Sequence, residues 1–155
     1  MDEEALTDLF ARLGARDPEQ WARSEILEGI PQLARFLFLR QAWKLIVSED
    51  DRTWIRDHVS TDRNAPGGAI SSALARLLAQ GASESDLTTV VRVMQWQLLT
   101  GLCYLLDDPG NLEQEVSSIA WRLFEVDGNE QPIAVLGGLH ESVLDTDPTR
   151  RGMQA

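Results

Sequence analysis

The sequence is poor in several residue types on which specialised proteins depend. Its 155 residues include one cysteine, Cys103, one lysine, Lys44, and two histidines, His58 and His140. A single cysteine excludes an intrachain disulfide and fits a reducing compartment. Neither an H-E-x-x-H motif nor a glycine-rich phosphate-binding loop occurs, so no dense motif points to a zinc hydrolase or a nucleotide-binding enzyme.

Long hydrophobic runs are also missing. The longest apolar stretch, near residues 98–106, is about half of the roughly 20 residues that a bilayer-spanning helix needs. The N-terminal sequence MDEEALTDLF is acidic, whereas secretory and transit signals are basic. The sequence therefore predicts a cytoplasmic protein without a membrane segment.

Basic residues are scarce and unevenly distributed. The net charge is −11, and residues 96–149 carry ten acidic side chains and one basic side chain. Residues 1–30 carry eight acids and three bases, while residues 31–95 are nearly neutral. A field of this sign repels nucleic acids and anionic membranes, so we expect neither as a partner and expect a basic protein partner instead.

Apolar residues recur at helical spacing along almost the whole chain, and the fold class predicted is all-α. We expect a single domain of about seven helices over residues 1–155, with residues 146–155 as a loosely ordered tail. Residues 31–47 and 84–106 are apolar on most faces, which predicts two covered helices. A further helix is expected from Asn111 through Leu123.

The segment 123–136 leaves two alternatives open. A turn centred on Asp127, Gly128 and Asn129 separates two short apolar runs, as in a β-hairpin. The same residues are also compatible with an extended crossing segment.

The segment GGLHESVLDTDPTRRG, residues 137–152, concentrates ionisable side chains near the end of the chain. Asp-Pro occurs here and at two earlier places, where helices are expected to start or stop, so capping explains much of the segment. The alternative is a metal-binding protein or metal-dependent hydrolase. Its candidate ligands are His58, His140, Glu141 and Asp145.

In a helix, Glu141 and Asp145 would share one face and repel each other. A divalent cation could relieve that repulsion, and so could Arg150 and Arg151. Without such a metal site, the sequence predicts no cofactor.

The apolar segment 31–47 also carries basic residues, and Arg40 has apolar neighbours on several sides. A buried guanidinium needs a carboxylate partner, so Arg40 is expected either in a structural ion pair or, with Trp43, in a pocket for an anionic ligand. The chain has five tryptophans, of which one or two at a groove would serve as interface anchors.

Two segments, QLARFLFLRQAWKLIV and GLHESVLDTDPT, resemble parts of small uncharacterised bacterial helical proteins. The resemblance implies a bacterial cytosolic origin and carries no catalytic residue across. The leading functional hypothesis is a non-enzymatic acidic protein that binds a protein partner, as an inhibitor, immunity factor or adaptor does. A homodimer is left open.

Overall fold

A computed structural model describes residues 1–110 and 112–149. These residues form seven α-helices and one two-stranded antiparallel sheet, which confirms the predicted helical fold with a short hairpin. The helices are α1 (Glu3–Leu13), α2 (Pro18–Glu28), α3 (Gln32–Trp43), α4 (Thr53–Val59), α5 (Ala69–Ala79), α6 (Glu84–Asp107) and α7 (Leu139–Ser142). The strands are β1 (Phe124–Val126) and β2 (Pro132–Val135). Within the described ranges, no helix combines the length and apolarity needed to cross a membrane.

The chain forms two compact units. The first comprises residues 1–45 and the chain from residue 99 onward, and the second comprises residues 46–98. The boundary falls inside α6, so this helix contributes residues to both units. The sequence predicted one domain because no change in composition marks this boundary.

The ends of α1 and α2 follow local sequence signals. α1 ends at Gly14, whose φ of 90° is the left-handed conformation that glycine adopts readily. Asp17 caps α2, because its Oδ1 accepts a hydrogen bond from the Gln20 backbone N–H at 3.3 Å, and Pro18 occupies the first helical position. The Asp-Pro pair at this position was predicted from the sequence to mark a helix start or stop.

The core of the first unit is built around three buried aromatic rings. Phe10 lies 5.9 Å from Trp21 and 5.6 Å from Phe36, and Trp21 lies 5.4 Å from Phe36, between ring centroids. The two contacts of Phe36 are edge-to-face, an arrangement worth about 0.5–1.5 kcal/mol per pair beyond the burial of area. This cluster holds α1, α2 and α3 together.

The other end of α3 packs against the C-terminal part of the chain. The indole Nε1 of Trp43 donates to the Val143 carbonyl at 2.9 Å and lies 3.1 Å from Thr146 Oγ1. Thr146 and Asp147, which the sequence placed in a loose tail, are buried. Residues 150–155 of that predicted tail lie outside the described residues.

The second unit has its own small core. Trp54 and Ile55 of α4 pack with Leu74 of α5, and all three are buried. The Trp54 indole N–H donates to Thr88 Oγ1 at 3.0 Å, which satisfies its only polar group.

The segment 123–136 forms a hairpin. Phe124 pairs with Val135 and Glu125 with Ala134, and the register is irregular before Val126. In the turn, Asp127 Oδ1 accepts hydrogen bonds from the Asn129 and Gln131 backbone N–H groups at 2.8 and 2.9 Å.

The helix predicted from Asn111 through Leu123 is wrong for the described residues 112–123. Only a single 3-10 turn, Gln114–Val116, forms there. Ser117 Oγ donates to the Gln114 carbonyl at 2.9 Å, a local bond of the kind that competes with helix formation. The apolar residues Val116, Ile119 and Ala120 of this segment are exposed.

The prediction that the C-terminal half of α6 is covered on most sides is also wrong. Cys103 is fully buried, but Leu102, Tyr104 and Leu105 are about half exposed. The spacing of apolar residues indicates how much of a helix surface is apolar. It does not indicate which other segments of the chain cover that surface.

Candidate functional site

His140 lies beside a carboxylate of α6 and not beside the acidic residues of its own segment. Its Nδ1 is 2.7 Å from Asp107 Oδ2, and its ring stacks on Tyr104 with 3.9 Å between centroids. The second oxygen of Asp107, Oδ1, is buried and has no hydrogen-bond partner in the described part of the chain. His140 is therefore held by two residues that the sequence analysis did not associate with it.

Glu141 and Asp145 border one cavity, and Arg35 of α3 borders it too. The arginines that the sequence offered as counter-charges, Arg150 and Arg151, lie outside the described residues. Arg35 is a cation near Glu141, because Arg35 Nη2 and Glu141 Oε2 lie 3.0 and 3.1 Å from the same point, the position that a Cβ at Gly138 would take.

The fourth candidate ligand, His58, belongs to the second unit and is exposed. Its Nδ1 is 2.7 Å from the Trp54 carbonyl, and its ring meets the Trp54 ring edge-on. Across residues 1–110 and 112–149, no three His, Cys, Asp or Glu residues are grouped so as to hold a metal ion. Metal binding through the four candidates stays a prediction.

Arg35 is the buried arginine of α3, whereas Arg40 is only partly buried. Arg40 was predicted to be the buried arginine because of its apolar neighbours along the chain. Helical spacing was the signal that identifies Arg35 as buried, because Arg35 lies on one face of α3 with the buried Leu39 and Trp43. Neither Arg40 nor Trp43 borders the two cavities described below.

The Arg35 guanidinium is fixed from one side. Its Nη2 donates to the Gly138 carbonyl and, at 2.9 Å, to Ser142 Oγ. Its Nε has no partner among the described residues. Burial lowers the pKa of Arg35 from its usual value, while Glu141 and Asp107 oppose that change. The side chain is thus a buried cation near two carboxylates.

The first of the two cavities, which we call the polar cavity, has a volume of about 720 Å³. It is bordered by α2, the first turn of α3, and α7 with the turn after it. Its basic residues are Arg16, Arg23 and Arg35, and its acidic residues are Asp17, Glu28, Glu141 and Asp145. The cavity therefore presents both signs of charge.

The second cavity, which we call the apolar groove, has a volume of about 590 Å³ and also lies within the first unit. Its walls come from two chain segments, one with Phe38, Gln41, Ala42, Lys44 and Leu45 and the other with Leu99, Leu102, Cys103, Leu105 and Leu106. Trp121 also borders the groove, and its indole N–H donates to the Leu105 carbonyl at 2.6 Å.

Cys103 is unsuited to nucleophilic chemistry. It is fully buried, and burial with the nearby charge of Asp107 raises the pKa of its thiol to about 11. At neutral pH the residue is a neutral thiol, while the reactive form of cysteine is the thiolate.

The chain matches no protein-family model, no curated protein and no solved structure.

Proposed function

We propose that this chain is a non-enzymatic acidic protein that binds an amphipathic helix of a basic partner in the apolar groove. An inhibitor, an immunity factor or an adaptor works in this way. The observation that carries the proposal is the exposure of large apolar side chains along the groove, with Leu45 82% exposed and Leu102 47% exposed.

The two walls of the groove have the same spacing. On each wall four of the five residues follow the pattern of a first position and those three, four and seven residues later. On the second wall this pattern is one face of α6, while on the first wall Leu45 lies just after the end of α3. Seven residues of helix span roughly 10 Å, so the α6 wall extends about two turns. A partner helix that inserts apolar side chains at the same spacing would bury these surfaces, a recurrent mode of peptide recognition.

The negative charge near the groove favours a basic partner. One wall of the groove belongs to residues 96–149, which carry ten acids and one base, while the other wall includes Lys44. Asp107 and Asp108 follow directly on the groove residues of α6. A helix with lysine or arginine outside its apolar face is attracted by this field, whereas a second copy of a chain with net charge −11 is repelled.

The test uses a synthetic helical peptide with leucines at the matching spacing and lysines on its other faces. Titration calorimetry should show binding to the wild-type protein, with affinity that falls as salt is raised. Leu102→Asp places a charge in the groove and should weaken binding at least about tenfold, or about 1.4 kcal/mol. Leu77→Asp is the matched control, because Leu77 is similarly exposed on α5 and should leave affinity unchanged.

Three outcomes contradict the proposal. Equal affinity of Leu102→Asp and wild type places the binding elsewhere. Equal affinity for a peptide with glutamate in place of lysine removes the role of charge. A concentration-dependent dimer that Leu102→Asp abolishes assigns the groove to a second copy of the chain.

A further inference from the structure

The polar cavity has features of a ligand site that is separate from the apolar groove. Its volume of about 720 Å³ falls within the roughly 300–1,000 Å³ of small-molecule pockets. The two cavities share no bordering residue. A role for the polar cavity therefore neither requires nor follows from the binding of a partner helix.

Two residues that border the polar cavity are buried and have an unpartnered polar atom. Arg35 is 5% exposed and its Nε has no partner in the described ranges, and the same holds for Oε1 of Gln32, which is 9% exposed. Gln32 and Arg35 lie about one turn apart on α3. Leaving such a group unpaired costs about 1–3 kcal/mol, so native proteins keep few of them without a function.

The amide and guanidinium are held in place by other bonds. Gln32 Nε2 donates to Ser24 Oγ at 2.8 Å, which leaves Oε1 as an acceptor for an N–H donor. Arg35 Nη2 is held by Gly138 and Ser142, which orients the guanidinium before any ligand arrives. Because these two bonds use both hydrogens of Nη2, the unpartnered Nε–H is the group left to donate a charge-assisted hydrogen bond to a carboxylate.

The acidic residues supply the complementary half of the site. Glu141 and Asp145 are exposed and border the same cavity as Arg35. An ammonium group in this cavity would be attracted to both carboxylates. The buried indole of Trp21 contributes an apolar surface.

From this arrangement we propose that the polar cavity binds a small zwitterion with an ammonium and a carboxylate group, the class that includes free amino acids and short peptides. The carboxylate pairs with Arg35, and the ammonium lies near Glu141 and Asp145. The Gln32 amide oxygen accepts an N–H of the ligand.

The test is a thermal-shift screen and calorimetry of the whole chain with the common amino acids and simple dipeptides. At least one should bind, and its C-terminal amide and its N-acetyl form should each bind at least about tenfold more weakly, which is about 1.4 kcal/mol. Glu141→Gln and Asp145→Asn are surface changes that should preserve folding and weaken the same ligand.

Arg35→Gln should abolish binding, whereas Arg40→Gln should not, because Arg40 lies on the same helix and does not border the cavity. Circular dichroism of each variant shows whether it is folded, and the two surface variants test the site if Arg35→Gln does not fold. The proposal is overturned if no zwitterion binds, if the amide or N-acetyl form binds as tightly as the parent, or if Glu141→Gln and Asp145→Asn leave affinity unchanged.

Discussion

Replacing Gly138 by alanine tests whether the backbone before α7 positions the charged groups of the polar cavity. Gly138 has a φ of 67°, and a Cβ there would lie 3.0 Å from Arg35 Nη2 and 3.1 Å from Glu141 Oε2. Gly29 has a nearly identical φ of 69° but open space around the same position. Gly29→Ala is therefore a matched control for the backbone alone.

The left-handed conformation costs a non-glycine residue roughly 1–2 kcal/mol, and alanine recovers about 0.4–1 kcal/mol by restricting the unfolded chain. We expect Gly29→Ala to lower the free energy of unfolding by about 1 kcal/mol on these two terms. Gly138→Ala carries the same terms together with crowding of about 1–3 kcal/mol, so a loss of about 2–4 kcal/mol is expected.

Urea denaturation followed by circular dichroism measures both losses. If the two variants lose the same stability, the contact of Gly138 with Arg35 and Glu141 does not constrain the site, and the reasoning is refuted. If Gly138→Ala loses more stability than Gly29→Ala, and the slope of the unfolding free energy against urea concentration is unchanged, the difference arises in the folded state.

Two further predictions follow from shifted pKa values. Because the pKa of Cys103 is about 11, its thiol in the native protein should react with a thiol reagent at pH 8 at least about a hundredfold more slowly than in urea; similar rates would show that the thiol is accessible. The neutral thiol of Cys103 stabilises the fold fully at pH values below the ordinary cysteine pKa. This contribution is lost as the pH rises towards 11. Hydrogen bonds from the Gln131 and Asn129 N–H groups lower the pKa of Asp127. These bonds therefore stabilise the turn fully at pH values above the ordinary aspartate pKa, and the stabilisation is lost as the pH falls through the lowered pKa. Amide shifts of both residues measured by NMR should change together below about pH 4, and a midpoint above the ordinary aspartate value would contradict the assignment.

Local features of the fold were predictable from the sequence because their causes lie within a few residues. Asp17 and Pro18 start α2, and Gly14 ends α1, through backbone geometry that neighbouring residues determine alone. The hairpin turn at Asp127 depends in the same way on a carboxylate that bonds nearby N–H groups.

The candidate sites were harder to predict, because they depend on which segments meet. His140 pairs with Asp107, 33 residues away, and Arg35 bonds Ser142, 107 residues away. No spacing rule within one helix relates such residues. Arg40 was preferred to Arg35 because neighbours along the chain do not determine which face of a helix becomes buried.

The sequence by itself therefore determined the helical fold class, the helix ends and the acidic character of the chain, since composition, periodicity and capping act locally. Only the tertiary structure decided that the C-terminal half of α6 stays partly uncovered and that Arg35 borders a charged cavity. Both outcomes depend on the packing of distant segments, in which the burial of one surface is decided by the surfaces that reach it.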